Sequence, residues 1–415
     1  MNSISILLTT AATETEVVRR SPRRFVSLIA ARTVRILATV LSIGVVPAHA
    51  RDPAADIDDG MPAPARRPLV SEAPSAFQWS LHLDSEAVSD LDGGLRRGTV
   101  SDTVVHAAMA MDTQPLGWWA GGRFAASAVH IRSGQPSQGY VGVLQTVSNF
   151  EAEPASRLYQ LWYRQQFSWS DLQLKGGLID MNQDFMAVDS AAALMNASFG
   201  LMPTLSANVA ASSYPEPGFG IEAAAAWQSW QYQLGLFQAN PTDRGTLFQH
   251  GHLAIGEVGY DRTVDGKSWG RYKLGVWQYR QSDADLAGVP ANDSGVYGVV
   301  DQTLFRRGPR DGSVFVQAGA SPRSANAVPY YLGAGLQLHA PFHQRSNDLF
   351  TAGIARARLR GDNSTAETAY ELSYIVRLHR FASLQPDLQY VTRPGGQTGI
   401  NNALVAILRL HLEFY

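Results

Sequence analysis

Tyr370-Glu371-Leu372-Ser373-Tyr374-Ile375-Val376-Arg377-Leu378-His379 alternates between two kinds of residue along its length. Tyr370, Leu372, Tyr374, Val376 and Leu378 share one face of an extended chain. Glu371, Ser373, Ile375, Arg377 and His379 share the other. Alternation sustained over this length marks a β-strand whose two faces meet different surroundings. One face is apolar and aromatic, and the other carries full charges. A soluble β-sandwich also alternates, but it sets Thr and Ser toward solvent more often than full charges. Lipid outside and water inside fit the pattern better.

The pattern recurs along the chain. Leu384, Pro386, Leu388 and Tyr390 oppose Gln385, Asp387 and Gln389. Tyr159, Leu161, Tyr163 and Phe167 oppose Gln160, Trp162, Arg164 and Gln166. Such segments cover 78–88, 98–113, 117–130, 157–169, 171–180, 219–228, 230–239, 249–262, 270–281, 293–306, 311–320, 329–340, 347–360, 366–379, 384–392 and 402–415. That makes roughly sixteen, an even number of the kind bacterial barrels use. The fold class predicted is all-β: a transmembrane antiparallel β-barrel spanning 77–415. Connections after even-numbered strands are mostly tight turns, while those after odd-numbered strands include the two longest, 131–156 and 181–218. Short turns at one end and long loops at the other are the usual asymmetry of outer-membrane barrels. In the last strand, Leu404, Ala406, Leu408, Leu410, Leu412 and Phe414 share a face opposite Arg409, His411 and Glu413. An aromatic end to the final strand is typical of chains handed to the outer-membrane insertion machinery, and Tyr415 is one residue beyond that register.

The connection after the fifth strand has no alternation but many large apolar residues, including Phe185, Leu194, Met195, Phe199, Leu201 and Met202. A long loop in a compact domain is usually functional or disordered. The apolar content argues for packing, so the loop is expected to fold into the lumen and narrow it. Asp180, Asn182 and Asp184 would give its base polar groups. Phe185, Asn196, Ser198 and Phe199 would belong to the constriction.

Ahead of the barrel, Arg19, Arg20, Arg23, Arg24, Arg32 and Arg35 precede an apolar run, Ile36 to Val46, and Pro47-Ala48-His49-Ala50. This reads as a signal peptide over 1–50, cleaved near Ala50. Its apolar run falls short of the ~20 residues a helix needs to span a bilayer. Residues 51–76, rich in Pro, Ala and Asp, read as a disordered leader.

The whole chain has 415 residues, no Cys and a formal net charge of -2. The lack of Cys excludes a disulfide framework, Cys-ligated zinc and thiol catalysis. The balanced charge gives no case for nucleic acid as a partner. There is no Gly-x-Ser-x-Gly elbow, Walker loop or His-Glu-x-x-His, so neither enzyme chemistry nor a cofactor is indicated. His250 and His252 share a strand face, but no carboxylate adjoins them in sequence, and no metal site is assigned.

Lumen candidates follow from the alternation. Trp162 and Arg164 point inward on the fourth strand. Arg356, Arg358 and Arg360 share a face of the thirteenth, with Ala355, Ala357 and Leu359 opposite. An Arg facing lipid at the midplane costs ~2–4 kcal/mol, so this triplet is expected to line the lumen or its rim, opposed by Asp180 and Asp184. Glu371, Arg377, Asp387 and Arg409 fall on inward faces as well. Trp118, Trp119, Trp169, Trp227, Trp230, Trp269 and Trp277 read as an interfacial girdle.

Several blocks resemble the carbohydrate-selective porins (OprB-type) of Gram-negative outer membranes. They are Leu158-Tyr159-Gln160-Leu161-Trp162-Tyr163-Arg164-Gln165-Gln166-Phe167, Gly177 to Phe185, Asn196 to Gly200, Pro203 to Ser206, Tyr214-Pro215, Tyr370 to Tyr374, Leu384 to Tyr390, Pro394-Gly395-Gly396 and Ala403-Leu404-Val405. The resemblance runs in block order from about Leu91 to the end. It departs at Asp184, where the family usually has Glu, and at Tyr415. It implies a sixteen-stranded porin admitting sugars by diffusion, with carbohydrate and outer-membrane lipid as partners. The alternatives are a general or anion-preferring porin, an outer-membrane enzyme or adhesin, and a soluble secreted β-protein. The sequence leaves open which sugar passes and whether the barrel forms a homo-oligomer.

Overall fold

The computed structural model describes residues 76–243, 245, 247–282, 292–361 and 365–415. The predicted signal peptide and leader lie outside them, apart from Ala76. Sixteen strands are formed among the described residues: β1 (Phe77–Gly94), β2 (Gly98–Asp112), β3 (Gly122–Arg132), β4 (Ala155–Gln166), β5 (Gln173–Ile179), β6 (Gly218–Trp227), β7 (Trp230–Gln238), β8 (Gly251–Val264), β9 (Lys267–Gln281), β10 (Asn292–Arg307), β11 (Arg310–Ala320), β12 (Tyr330–His339), β13 (Leu349–Arg358), β14 (Ala366–His379), β15 (Ala382–Thr392) and β16 (Asn401–Phe414). Each pairs with its sequence neighbours, and β1 closes onto β16. The closing seam is antiparallel, with Leu83 opposite Leu412 and Ala87 opposite Leu408. A closed sheet satisfies its backbone hydrogen bonds internally and has no edge, which a hydrocarbon environment demands.

The outward face is apolar in strand after strand. Leu161, Leu174, Ile221, Leu274, Val296, Val316, Leu332, Leu372, Leu388 and Leu408 are all exposed on it. An apolar surface that encircles the molecule suits lipid rather than water. Trp118, Trp119, Trp169, Trp227 and Trp230 are exposed at or near strand ends. The strand opening expected at 117 starts at Gly122 instead, because Thr113 Oγ1 donates to the Trp119 carbonyl and folds 113–121 into a turn.

The interior is filled by chain rather than by water alone. The connection 180–217 enters the barrel, where Met181, Phe185, Met186, Leu194, Phe199, Met202 and Leu205 are buried against wall residues Phe237, Ile255, Trp277, Tyr297, Phe315, Tyr331 and Ala355. Each such side chain contributes about 1.5–3 kcal/mol by leaving water. Short helical turns bend the segment. Asp180 caps Met181–Gln183 by accepting the Asn182 N–H at 2.9 Å, and Asn196 caps Ala197–Phe199 by accepting the Ser198 N–H at 3.1 Å. These are the usual acceptors for the free N–H groups of a first turn. The wall makes room with glycine. A Cβ on Gly353 would stand 2.6 Å from the Phe199 ring, and one on Gly319 would stand 2.3 Å from Thr204 Oγ1.

Three expected orientations are overturned. Arg356, Arg358 and Arg360 are exposed on the outward face, level with exposed Leu332 and Tyr330 of β12, while Ala355, Ala357 and Leu359 point inward into the loop contact. The inward face of β13 therefore needs small residues. The arginines lie past Tyr370 and Tyr390 toward the strand end, where the lipid penalty for a cation falls to about 0–1 kcal/mol. Tyr159 is the second case. A bulge leaves it out of the β3–β4 register, so it turns inward and its hydroxyl donates to Asp180. Trp277 is the third. It is buried inward, beside Gly295 of β10, where a Cβ would meet its ring at 2.6 Å.

Candidate functional site: the constricted lumen

Carboxylates of the barrel wall hold the inward loop by its backbone. Glu257 of β8 accepts the Met186 N–H at 3.0 Å and the Tyr297 hydroxyl at 2.7 Å. Asp301 of β10 accepts the Ser190 N–H at 3.0 Å and also its hydroxyl. Glu371 of β14 accepts the N–H groups of Met195 and Asn196, the latter at 3.0 Å. Buried N–H groups on a loop need acceptors, and these wall side chains supply them.

The other long connection, 133–154, also folds inward. Glu367 of β14 accepts the Leu144 N–H at 2.8 Å and the Gln145 N–H at 2.7 Å. Arg409 of β16 donates to Asn149 at 2.7 Å, and its guanidinium lies 3.8 Å from the centre of the Phe150 ring. The two loops bond to each other through Asn149 N–H to the Met195 carbonyl at 2.7 Å and Ala197 N–H to the Thr146 carbonyl at 3.0 Å. Together they form one plug-like constriction. Within 133–154, Ser137 N–H donates to Glu151 at 2.9 Å, and burial pushes the Glu151 carboxyl up to about 7.

A charged belt joins loop to wall. Lys175 of β5 lies 2.8 Å from Asp184 on the loop and 3.4 Å from Glu222 of β6. Its ammonium also sits 5.0 Å from the centre of the Trp162 ring, and the Arg164 guanidinium lies 5.9 Å from the same ring. Burial alone would raise the Asp184 carboxyl, but the cations of Lys175 and Arg164 outweigh it and hold it below the ordinary value. Further round, Arg271 of β9 bridges Asp261 of β8 at 2.8 Å and Asp189 of the loop at 2.9 Å. Belt members range from buried (Lys175, Glu222) to exposed (Asp189), so polar contact is offered where the loop meets the wall.

The residues singled out in the sequence fall into separate places. Trp162 is inward but buried under its two cations, while Arg164 beside it is partly exposed. Glu371 and Asp387 are inward and buried, with Gln389 donating to Asp387 at 3.1 Å. Arg377 is inward and donates to Glu413 at 2.8 Å. Asp180, Asn182, Asp184, Phe185, Asn196, Ser198 and Phe199 all lie on the inward loop. Asn182 donates to the Gly200 carbonyl at 3.1 Å, and the Ser198 carbonyl accepts from Gln317 at 3.1 Å. Phe185 and Phe199 meet Phe237 and Phe315 edge-on. Arg356, Arg358 and Arg360 are not brought together with this set.

Sequence reasoning missed Glu257, Asp301, Glu367, Lys175 and Arg271, and it missed the inward path of 133–154. One signal was present. Glu257 follows buried, apolar Leu253 and Ile255 on the same inward face, and Lys273 of β9 lies 3.1 Å from its carboxylate. Such an acid must meet a donor from elsewhere in the chain.

The profile of the carbohydrate-selective porin, OprB family, matches residues 103–414. Porin B of Pseudomonas aeruginosa is 24% identical over 404 residues, covering 81% of this chain and 87% of that protein. The high-pH structure of Pseudomonas putida OprB superposes with a TM-score of 0.72 at 20% identity, covering 82% of this chain and 94% of that one. A mutant of the Rh. blastica porin superposes with a TM-score of 0.52 at 10% identity, covering 81% and 100%. These structural likenesses concern the fold. The profile match spans most of the chain and follows the barrel from β2 to β16, so this protein belongs to the OprB family of carbohydrate-selective porins.

Proposed function

We propose that sugars diffuse passively through this barrel across a Gram-negative outer membrane, and that the two inward loops set the size and polarity of the path. The carrying observation is the clamp. Glu257, Asp301, Glu367 and Glu371 hold the loop backbones inside the lumen, so the narrowing is built in. The solute then meets the charged belt at the loop's margin: Arg164, Lys175, Asp184, Asn182, Asp189 and Arg271. Paired cations and carboxylates can replace the water around sugar hydroxyls while binding weakly enough to release them. Trp162 orders the belt's cations rather than stacking on sugar, because its ring is already covered.

The anion-preferring alternative drew on Arg356, Arg358 and Arg360, which face outward. The inner cations face carboxylates, which favours a neutral solute. Planar-bilayer conductance with added sugars tests this reading. We expect current to fall as sugar is added, and Asp184→Asn with Lys175→Met to weaken that block severalfold. Strong anion selectivity with no sugar block in the wild type would contradict it.

A further inference from the structure

We propose that the β1–β16 seam carries a transition-metal site built from His82, His411 and Glu413. His82 of β1 stands directly opposite Glu413 of β16, and Asp84 directly opposite His411. All four side chains lie on the inward face, next along the seam from the Glu86–Arg409 pair that reaches Asn149 of the 133–154 loop.

One ligand atom from each of His82, His411 and Glu413 falls within 4.8 Å of the others. His411 Nε2 and Glu413 Oε2 are 3.4 Å apart. Bonds of about 2.0–2.2 Å in a tetrahedral site place ligand atoms roughly 3.3–3.5 Å apart. One edge of the tetrahedron is therefore formed, and small side-chain rotations would bring in the His82 ring.

The surroundings resemble the support a bound ion needs. His411 Nδ1 is 2.7 Å from Asp84 Oδ1, which commits that nitrogen to the carboxylate and leaves Nε2 to face Glu413. On the other side, Arg377 donates to Glu413 Oε1 at 2.8 Å and Tyr415 to Oε2 at 3.0 Å. The Tyr415 ring stands edge-on to His82, with centroids 5.8 Å apart. The terminal residue that overran the expected aromatic register thus reaches this cluster. His106 lies beyond His82, with ring centroids 6.2 Å apart, as an outer neighbour. His411 and Glu413 keep 11% and 12% of their side-chain surface exposed, enough for an ion to enter. Two imidazoles and one carboxylate suit Zn²⁺, Ni²⁺ or Cu²⁺ over Mg²⁺ or Ca²⁺. Three protein ligands leave a fourth position for water.

The competing account is a hydrogen-bonded network that takes no metal. The test uses the tag-free, metal-stripped full barrel in detergent. Zn²⁺ is titrated calorimetrically, and Co²⁺ is followed by its visible ligand-field bands. The site predicts one Zn²⁺ per barrel, tetrahedral Co²⁺ bands, and no competition from Ca²⁺. His411→Ala and Glu413→Gln should abolish the stoichiometric event. Asp84→Asn should weaken it about 10–100-fold. His250→Ala, at the separate pair with Asp243, should leave it intact. Heat-modifiable migration confirms that each variant still forms the barrel. Substoichiometric binding in the wild type, octahedral Co²⁺ alone, or binding unchanged in the folded His411 and Glu413 variants would overturn the proposal.

Discussion

At the scale of single residues, the inner wall divides into groups that hold the chain and groups that can meet a solute. Glu371 is of the first kind. Its two bonds to Met195 and Asn196 would be compromised in Glu371→Gln, where one acceptor oxygen becomes a donor. We predict a cost of about 1–3 kcal/mol to the loop, read as faster proteolysis within 181–217 and noisier single-channel current in an intact barrel. Arg356 and Arg358 are of neither kind. Replacing both by Ala should leave conductance and sugar block within about twofold of the wild type, since neither faces the lumen. Glu151 adds a pH dependence. Its folded carboxyl titrates at about 7, above the ordinary 4.5. The folded state thus keeps a proton that the unfolded chain releases, and stability from this group is lost as pH rises between the two values. Comparing thermal midpoints at pH 5 and pH 7.5, wild type should lose more than Glu151→Gln.

At the scale of elements, the inward loop behaves as a core with its own packing rules. Gly353 leaves the gap that Phe199 and Leu194 fill, because a Cβ there would press within 3 Å of both. Gly353→Val should displace the loop without opening β13, since Val suits a strand. The expected readout is larger conductance with heat-modifiable migration unchanged. The same packing explains what the sequence did not disclose. Alternation located the strands because each outward position answers to lipid, and that requirement is local. Orientation failed where the inward face answered to a loop instead. Ala355 and Ala357 looked like the lipid side because they are small and apolar, yet they belong to the buried inner cluster, on the face where Gly353 meets Leu194 and Phe199. Tyr159 was misplaced by a bulge, and nothing in its neighbours' residue types marks one. Glu257, Asp301 and Glu367 escaped notice, and the role of Glu371 with them, because their partners are backbone N–H groups, which carry no sequence identity. The inward course of the loop was legible, by contrast, in its large apolar residues, although the roles of Asp180 and Asn196 as caps at the starts of two of its turns were not.

At the scale of the molecule, a closed antiparallel barrel leaves no strand edge and presents lipid with a continuous apolar girth. Its interior would otherwise be a wide aqueous channel at this strand number. Two loops, held by four acidic side chains of the wall and bonded to each other, occupy that interior. We infer that the clamped loops, rather than the barrel wall alone, confer the sugar interaction. Planar-bilayer recordings with added sugar check this on the wild type and on a barrel whose Met186–Val209 segment is replaced by a short Gly-Ser linker. We predict that the shortened barrel conducts severalfold more current and loses the block by sugar. Equal conductance and equal block in the two proteins would contradict the account.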